Sequence, residues 1–141
     1  MADALNYLAL ARKAGLCELG EEPVGAITRT GKGYLVIVAS DASDHTWRRA
    51  KSFVAGTDQQ CIRIAATKEQ MGFVVGRTSL AIAAITDPAM ALAMVKAMGE
   101  SEKYADALAM LESKAQKAKT RAKEARAHQR NVRTGKKKNH V

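Results

Sequence analysis

Apolar and polar positions follow two periods along the first hundred residues. Leu5, Leu8 and Ala9 recur at helical spacing, with Arg12 and Lys13 opposite, so a short amphipathic helix is expected to end near Gly15. Leu16-Cys17-Glu18-Leu19 is a brief extended piece stopped by Gly20. Glu21-Glu22-Pro23 opens a second helix, because a first-turn proline lacks a donor that the helix does not use and acids suit the positive helix end. That helix runs to about Thr30, and Gly31-Lys32-Gly33 stops it. Tyr34–Ala39 is a continuous apolar run, the mark of a strand covered on both faces. The Ser and Asp side chains of Ser40–Asp44 suit the N-cap of a helix over His45–Ala55. Cys61–Ala65 reads as a strand. Thr67 and Gln70 read as a capping box for a helix ending near Gly76, and Leu80–Ile85 as a buried strand. A helix follows from Pro88, with Met90, Met94 and Met98 on one face. Gly99 interrupts it, and Ser101 or Glu102 restarts it. Alternating helices and apolar strands predict an α/β fold, a three-layer α/β/α sandwich with a small mixed sheet.

The charge changes the picture beyond residue 113. From Lys114 onward there are eleven Lys or Arg and one acid, Glu124, a net of +10. Residues 1–113 carry the remaining twelve Lys or Arg against thirteen Asp or Glu, a net of −1. A nearly neutral body therefore carries a basic C-terminal tail. Ala115, Ala118, Ala122 and Ala125 recur among strong helix formers. With no packed apolar face, that helix is expected to form only in part in water. After Asn131 the composition turns to Arg133-Thr134-Gly135-Lys136-Lys137-Lys138, which reads as disorder. The expected organisation is one body over 1–99 and an extension with its basic tail over 100–141.

Length and composition exclude several classes. No apolar run of 18 residues exists, so no membrane-spanning helix is expected. Met1-Ala2-Asp3-Ala4 lacks a basic and then apolar leader, and two cysteines are too few for a disulfide framework. A reducing, cytoplasmic address is expected.

Candidate chemistry is sparse. Gly25 to Gly33 invites a phosphate-loop reading, but five residues separate Gly25 from Gly31 and Gly33 follows Lys32, so the spacing is wrong and a helix stop is the better reading. Cys17, Cys61, His45, His128 and His140 show no metal-ligand spacing, and the cysteines read as core thiols. The Met stripe reads as core. No nucleophile, base and orienting acid stand in a recognisable arrangement, so no catalytic residue, metal, cofactor or small-molecule substrate is expected and the chain does not read as an enzyme. Trp47-Arg48-Arg49-Ala50-Lys51 places an aromatic beside cations. It can stack on a base, or Trp47 can pack the helix onto the body. The tail cations Lys117, Lys119, Arg121, Lys123, Arg126, Arg130, Arg133, Lys136, Lys137 and Lys138 point to a polyanion. Nucleic acid is favoured over membrane, because Ala rather than Leu, Phe or Trp stands opposite the cations.

Gly20-Glu21-Glu22, Gly31-Lys32 and Leu35-Val36-Ile37-Val38-Ala39-Ser40-Asp41-Ala42-Ser43 resemble the kink-turn RNA-binding ribosomal protein family, large-subunit ribosomal protein seven-Ae and its relatives. The likeness continues in Thr67-Lys68-Glu69-Gln70-Met71-Gly72, Gly76 and Ala81–Asp87. It covers roughly residues 4–95 and is nearest to the small bacterial branch called YlxQ. The resemblance implies an α/β/α sandwich that grips RNA with two elements. One is the turn Gly20-Glu21-Glu22 with the start of its helix, and the other is the loop Arg77-Thr78-Ser79-Leu80. Glu22, Pro23 and Ala26 stand where archaeal members carry Asn, Glu and Lys, which removes one phosphate partner. On this reading Arg29 and Lys32, with Arg48 and Arg49, position phosphates, and the tail adds affinity without sequence preference. The expected function is non-enzymatic binding of structured RNA, ribosomal RNA first. The alternative is a protein-interaction module that has lost specific RNA recognition and is held near ribosome or nucleoid by its tail.

Overall fold

The computed structural model describes residues 1–134 of the chain. In order it contains α1 (Ala2–Ala14), β1 (Cys17–Leu19), α2 (Glu21–Arg29), β2 (Leu35–Val38), α3 (Asp44–Val54), β3 (Gln60–Arg63), α4 (Lys68–Val74), β4 (Ile82–Ile85), α5 (Pro88–Ala97) and α6 (Ala105–Thr134). The strands form one mixed sheet in the order β1-β4-β2-β3. β4 is antiparallel to both β1 and β2, and β2 is parallel to β3. Helices α2 and α3 cover one face, and α1, α4, α5 and α6 form the other layer, as the α/β/α pattern predicts. The two central strands are buried along their whole length, which is why their sequences are unbroken apolar runs.

The caps follow local chemistry. Ser43 Oγ accepts from Thr46 N at 3.1 Å, and Thr67 with Gln70 forms the expected capping box. Asp41, expected to serve its own helix, reaches instead to α4, where its Oδ1 accepts from Lys68 N at 2.8 Å. Met94 lies in the core, with Met90 and Met98 packed at its rim.

The two ends of the sheet are chemically different. At one end β1, β2 and β3 finish and α2, α3 and α4 begin. At the other, buried Gln59 clasps the turn after α2: Gly33 N donates to its Oε1 at 2.8 Å, and its Nε2 donates to Thr28 O at 3.1 Å.

The basic extension is one continuous helix. Its first turns belong to the core, since Tyr104, Ala107 and Leu111 are buried with the body. α6 runs back antiparallel to α5, so that 112–119 faces Asp87–Leu92 across a shallow groove. Lys114 pairs with Asp58 at 2.5 Å, and its hydrogen bond holds the Asp58 carboxyl below the usual carboxylate range. The docked half supplies the nucleus that an isolated helix lacks, so the helix is complete where a partial one was expected. Residues 131–134 also continue it, against the expected disorder after Asn131. Lys136, Lys137 and Lys138 lie outside the described residues.

Both cysteines are thiols, part-buried in strands or their edges. Burial pushes the Cys61 thiol up to about 12, against a small opposing pull from Lys51. Burial also raises Cys17, opposed by Arg12 and Arg77 and reinforced by Glu18. Near pH 8 only about one Cys61 in ten thousand is thiolate. Iodoacetamide on the native protein is therefore expected to alkylate Cys17 well before Cys61, with equal rates in denaturant. Mass spectrometry showing Cys61 modified first would contradict the burial of β3.

Candidate nucleic-acid interface

Gly20 turns the chain from β1 into α2 with φ at 97°, a backbone conformation that favours glycine. Its N–H donates to Ile82 O at 3.0 Å, which fixes the turn to the start of β4. No side chain caps α2, so its first amides stay open to a ligand at the positive end of the helix. The Arg77–Leu80 loop is fixed from a different element. Arg77 N donates to Gly72 O at 2.8 Å, and Leu80 N donates to Lys68 O at 3.0 Å. The loop backbone lies so close to Gly72 that a Cβ there would stand 2.7 Å from Arg77 O.

These two anchored segments meet. Arg77 Nη1 lies 3.9 Å from the position a Cβ would take on Gly20, although 56 residues separate the pair. Arg77, Thr78 and Ser79 are exposed, whereas Leu80 is 3% exposed. Its side chain therefore anchors the loop in the core, which corrects its expected place among the outward-facing RNA contacts. Among the described residues the Thr78 and Ser79 hydroxyls have no protein partner, so both can donate or accept outward.

The two acids of the turn differ. Glu21 Oε1 accepts from Arg49 Nε at 2.6 Å, and Arg49 lies over the Phe53 ring at 5.2 Å. Arg49 thus offsets an acid instead of reaching outward as expected. Glu22 is exposed and has no partner among the described residues.

Arg29 and Lys32 are not part of this cluster. Arg29 ends α2, about 13 Å along its axis from Gly20 at ~1.5 Å per residue, and Lys32 lies in the turn beyond it. They share the opposite end of the sheet with Gln59 and Asp58. The basic tail leaves from that end too. Lys117 stands near Asp58, Lys119 lies beside Asp87 and Pro88, and residues 119–126 and 128–132 are exposed. The sheet therefore has one end with a built turn and loop, and an opposite end that holds Arg29 and Lys32 and from which α6 carries Lys119, Arg121, Lys123 and Arg126 outward.

Sequence reading missed two features here, the exposure of Phe73 and the position of Arg63. Phe73, one residue past Gly72, is 83% exposed beside the Arg77 loop. The positions around it gave the signal, since Met71, Gly72 and Val75 form the buried face of α4. Trp47 is half-buried and packs on the body, with Arg63 over its ring at 4.9 Å and Lys51 at 5.4 Å. Arg63 is distant in sequence, and nothing local announces it. The Gly25–Gly33 stretch forms the end of α2 and its turn, not a phosphate loop. Among the described residues no three His, Cys, Asp or Glu side chains gather as a metal ion requires, and no helix is long and apolar enough to cross a membrane.

No protein-family model matches the chain, and no curated protein matches it. Solved structures do. A protein of unknown function from Bacillus halodurans C matches with a TM-score of 0.65 at 23% identity, covering 71% of this chain and all of its own. The Giardia lamblia 15.5kD RNA binding protein matches with a TM-score of 0.58 at 19% identity, covering 70% of this chain and 84% of its own. At this identity the likenesses show a shared fold.

Proposed function

We propose that the protein binds structured RNA without catalysing a reaction. It reads the shape of a kinked or bulged segment at the end of the sheet where Gly20 and Arg77 meet. The observation that carries this reading is that meeting: an open helix start and a cationic loop, each fixed by backbone hydrogen bonds and presented as one surface. The RNA-binding description of the Giardia structure supports it, as does the family resemblance. Arg77 contacts phosphate or a base edge, Thr78 and Ser79 reach ribose hydroxyls, and Glu22 accepts from base amino groups. The pairing of Glu21 with Arg49 lessens the repulsion that two adjacent acids would present to a polyanion. The tail cations bind phosphate irrespective of sequence. On this reading the protein works in the cytoplasm, and ribosomal RNA is the first target class.

The test is fluorescence anisotropy with the full chain. A duplex kinked by tandem sheared G·A pairs is compared with a straight duplex of equal length near ~0.15 M salt. About a tenfold preference for the kink is expected, and Arg77→Gln is expected to remove it, in line with 1–3 kcal/mol per good polar contact to nucleic acid. Equal affinity for both duplexes would overturn shape recognition and leave the protein-interaction reading.

A further inference from the structure

A second cluster of cations sits beside the candidate interface. Arg63, at the end of β3, lies over Trp47, its guanidinium carbon 4.9 Å from the ring centroid. Its Nε and Nη2 are buried and have no acceptor among the described residues. Its Nη1 is neither buried nor hydrogen-bonded, so it faces the open side. That side is a groove of about 510 Å³ whose walls include Ser40, Trp47, Arg63, Lys103 and Tyr104. Tyr104 Oη donates to Arg63 O at 3.1 Å and fixes the strand end against α6. Lys51 borders Trp47, and Lys103 lies over the Tyr104 ring at 5.3 Å. The one carboxylate paired with the groove is Glu100, at 4.0 Å from Lys103.

A guanidinium with two buried unpaired donors is a costly arrangement that calls for an explanation. The Trp47 ring beneath it recovers part of that cost through its quadrupole. It also limits the conformations open to the guanidinium, which favours binding of an anion. With two cations, Arg63 and Lys51, over Trp47, the ring is a support for charge rather than a platform for a base.

We infer that this groove is a phosphate site, its oxygens accepting from Arg63 Nη1, Lys103 Nζ and the Ser40 hydroxyl. The phosphate belongs to an RNA strand that continues from the Gly20–Arg77 surface, so this part rests on the proposed function. The path is short. Gly20 N bonds to Ile82 O, Ala39 N to Ala81 O and Ser40 N to Ala66 O, so successive strand ends lead from the Gly20 turn to the groove.

Trp47 is the only tryptophan in the chain, so its emission reports on the groove directly. The full-length protein is titrated with the kinked duplex, and separately with inorganic phosphate against chloride at constant ionic strength. The variants are Arg63→Gln and Lys103→Ala; the second is on an exposed turn and spares the core if the first fails to fold. RNA is expected to change the emission saturably. Lys103→Ala is expected to weaken that response about threefold to tenfold and to lower the salt slope by about one. RNA binding seen by anisotropy, with Trp47 silent to RNA and phosphate and Lys103→Ala like wild type, overturns the groove and leaves RNA binding standing. A Lys103-sensitive response to inorganic phosphate without any RNA binding supports the phosphate site and overturns RNA as its source. Silence to both, with no RNA bound, overturns both readings.

Discussion

Truncation after Lys119 is expected to make RNA binding far less steep in salt while leaving the preference for a kinked over a straight duplex intact. The cut removes Arg121, Lys123, Arg126, Arg130, Arg133, Lys136, Lys137 and Lys138 against the single acid Glu124. It spares the docked turns, with Leu111 in the core and Lys114 on Asp58. If about six of those cations meet phosphate, the slope of log affinity on log salt should flatten by roughly 4 to 5. At ~0.15 M salt the affinity for a long RNA should fall by about two orders of magnitude.

Geometry adds a length dependence. The tail leaves the end of the sheet opposite Gly20 and Arg77. From Tyr104 to Lys119 α6 advances about 22 Å, and to Thr134 about 45 Å. Truncation should therefore cost little on a kinked RNA whose flanks are shorter than the docked part of α6, and progressively more as the flanks lengthen toward its far end. An equal loss at every flank length would show that the tail does not act from the far end. An unchanged salt slope would remove it from RNA binding altogether.

The second large effect is expected from Gly72→Ala. A Cβ there meets Arg77 O at 2.7 Å, Ser79 N at 2.8 Å and Ser79 Cα at 2.9 Å. All three are backbone atoms, so relief requires moving the loop. Overpacking of this kind costs about 1–3 kcal/mol, which should appear as a lower thermal midpoint. The moved loop carries Arg77 away from Gly20, so the kink preference should fall about tenfold or more while tail-driven binding to straight duplex persists. Gly25→Ala is the control. The three atoms nearest its Cβ all belong to the Phe53 ring, the first at 3.1 Å, a side chain that can give way. It should reduce stability and keep the kink preference. A Gly72→Ala protein with undiminished preference would mean that the loop does not read RNA.

The two variants also show why the candidate site was only partly legible from sequence. Gly20-Glu21-Glu22 and Arg77–Leu80 could be nominated from spacing, but not their contact, because 56 residues of chain lie between Gly20 and Arg77. Leu80 was misplaced because an apolar residue at a loop end reads equally as a contact or an anchor. Arg29 and Lys32 were grouped with Gly20 through nearness in sequence, whereas the length of α2 carries them to the far end of the sheet. Arg49 read as a free cation until α3 was packed against α2, which set it on Glu21. Arg63 had no local signal, since an alternating strand residue at an edge is ordinarily solvated.

The sequence by itself determined the elements and their layers, because helix caps, proline and glycine stops, and the period of apolar positions act within a few residues. It also determined that charge is divided between a neutral body and a cationic tail. Only the tertiary structure decided which polar groups share a surface. It joined Gly20 to Arg77, tied Glu21 to Arg49, laid Arg63 on Trp47, and sent the tail out from the opposite end. Those outcomes depend on the sheet order β1-β4-β2-β3 and on the return of α6 along α5, long-range packing that no local pattern encodes.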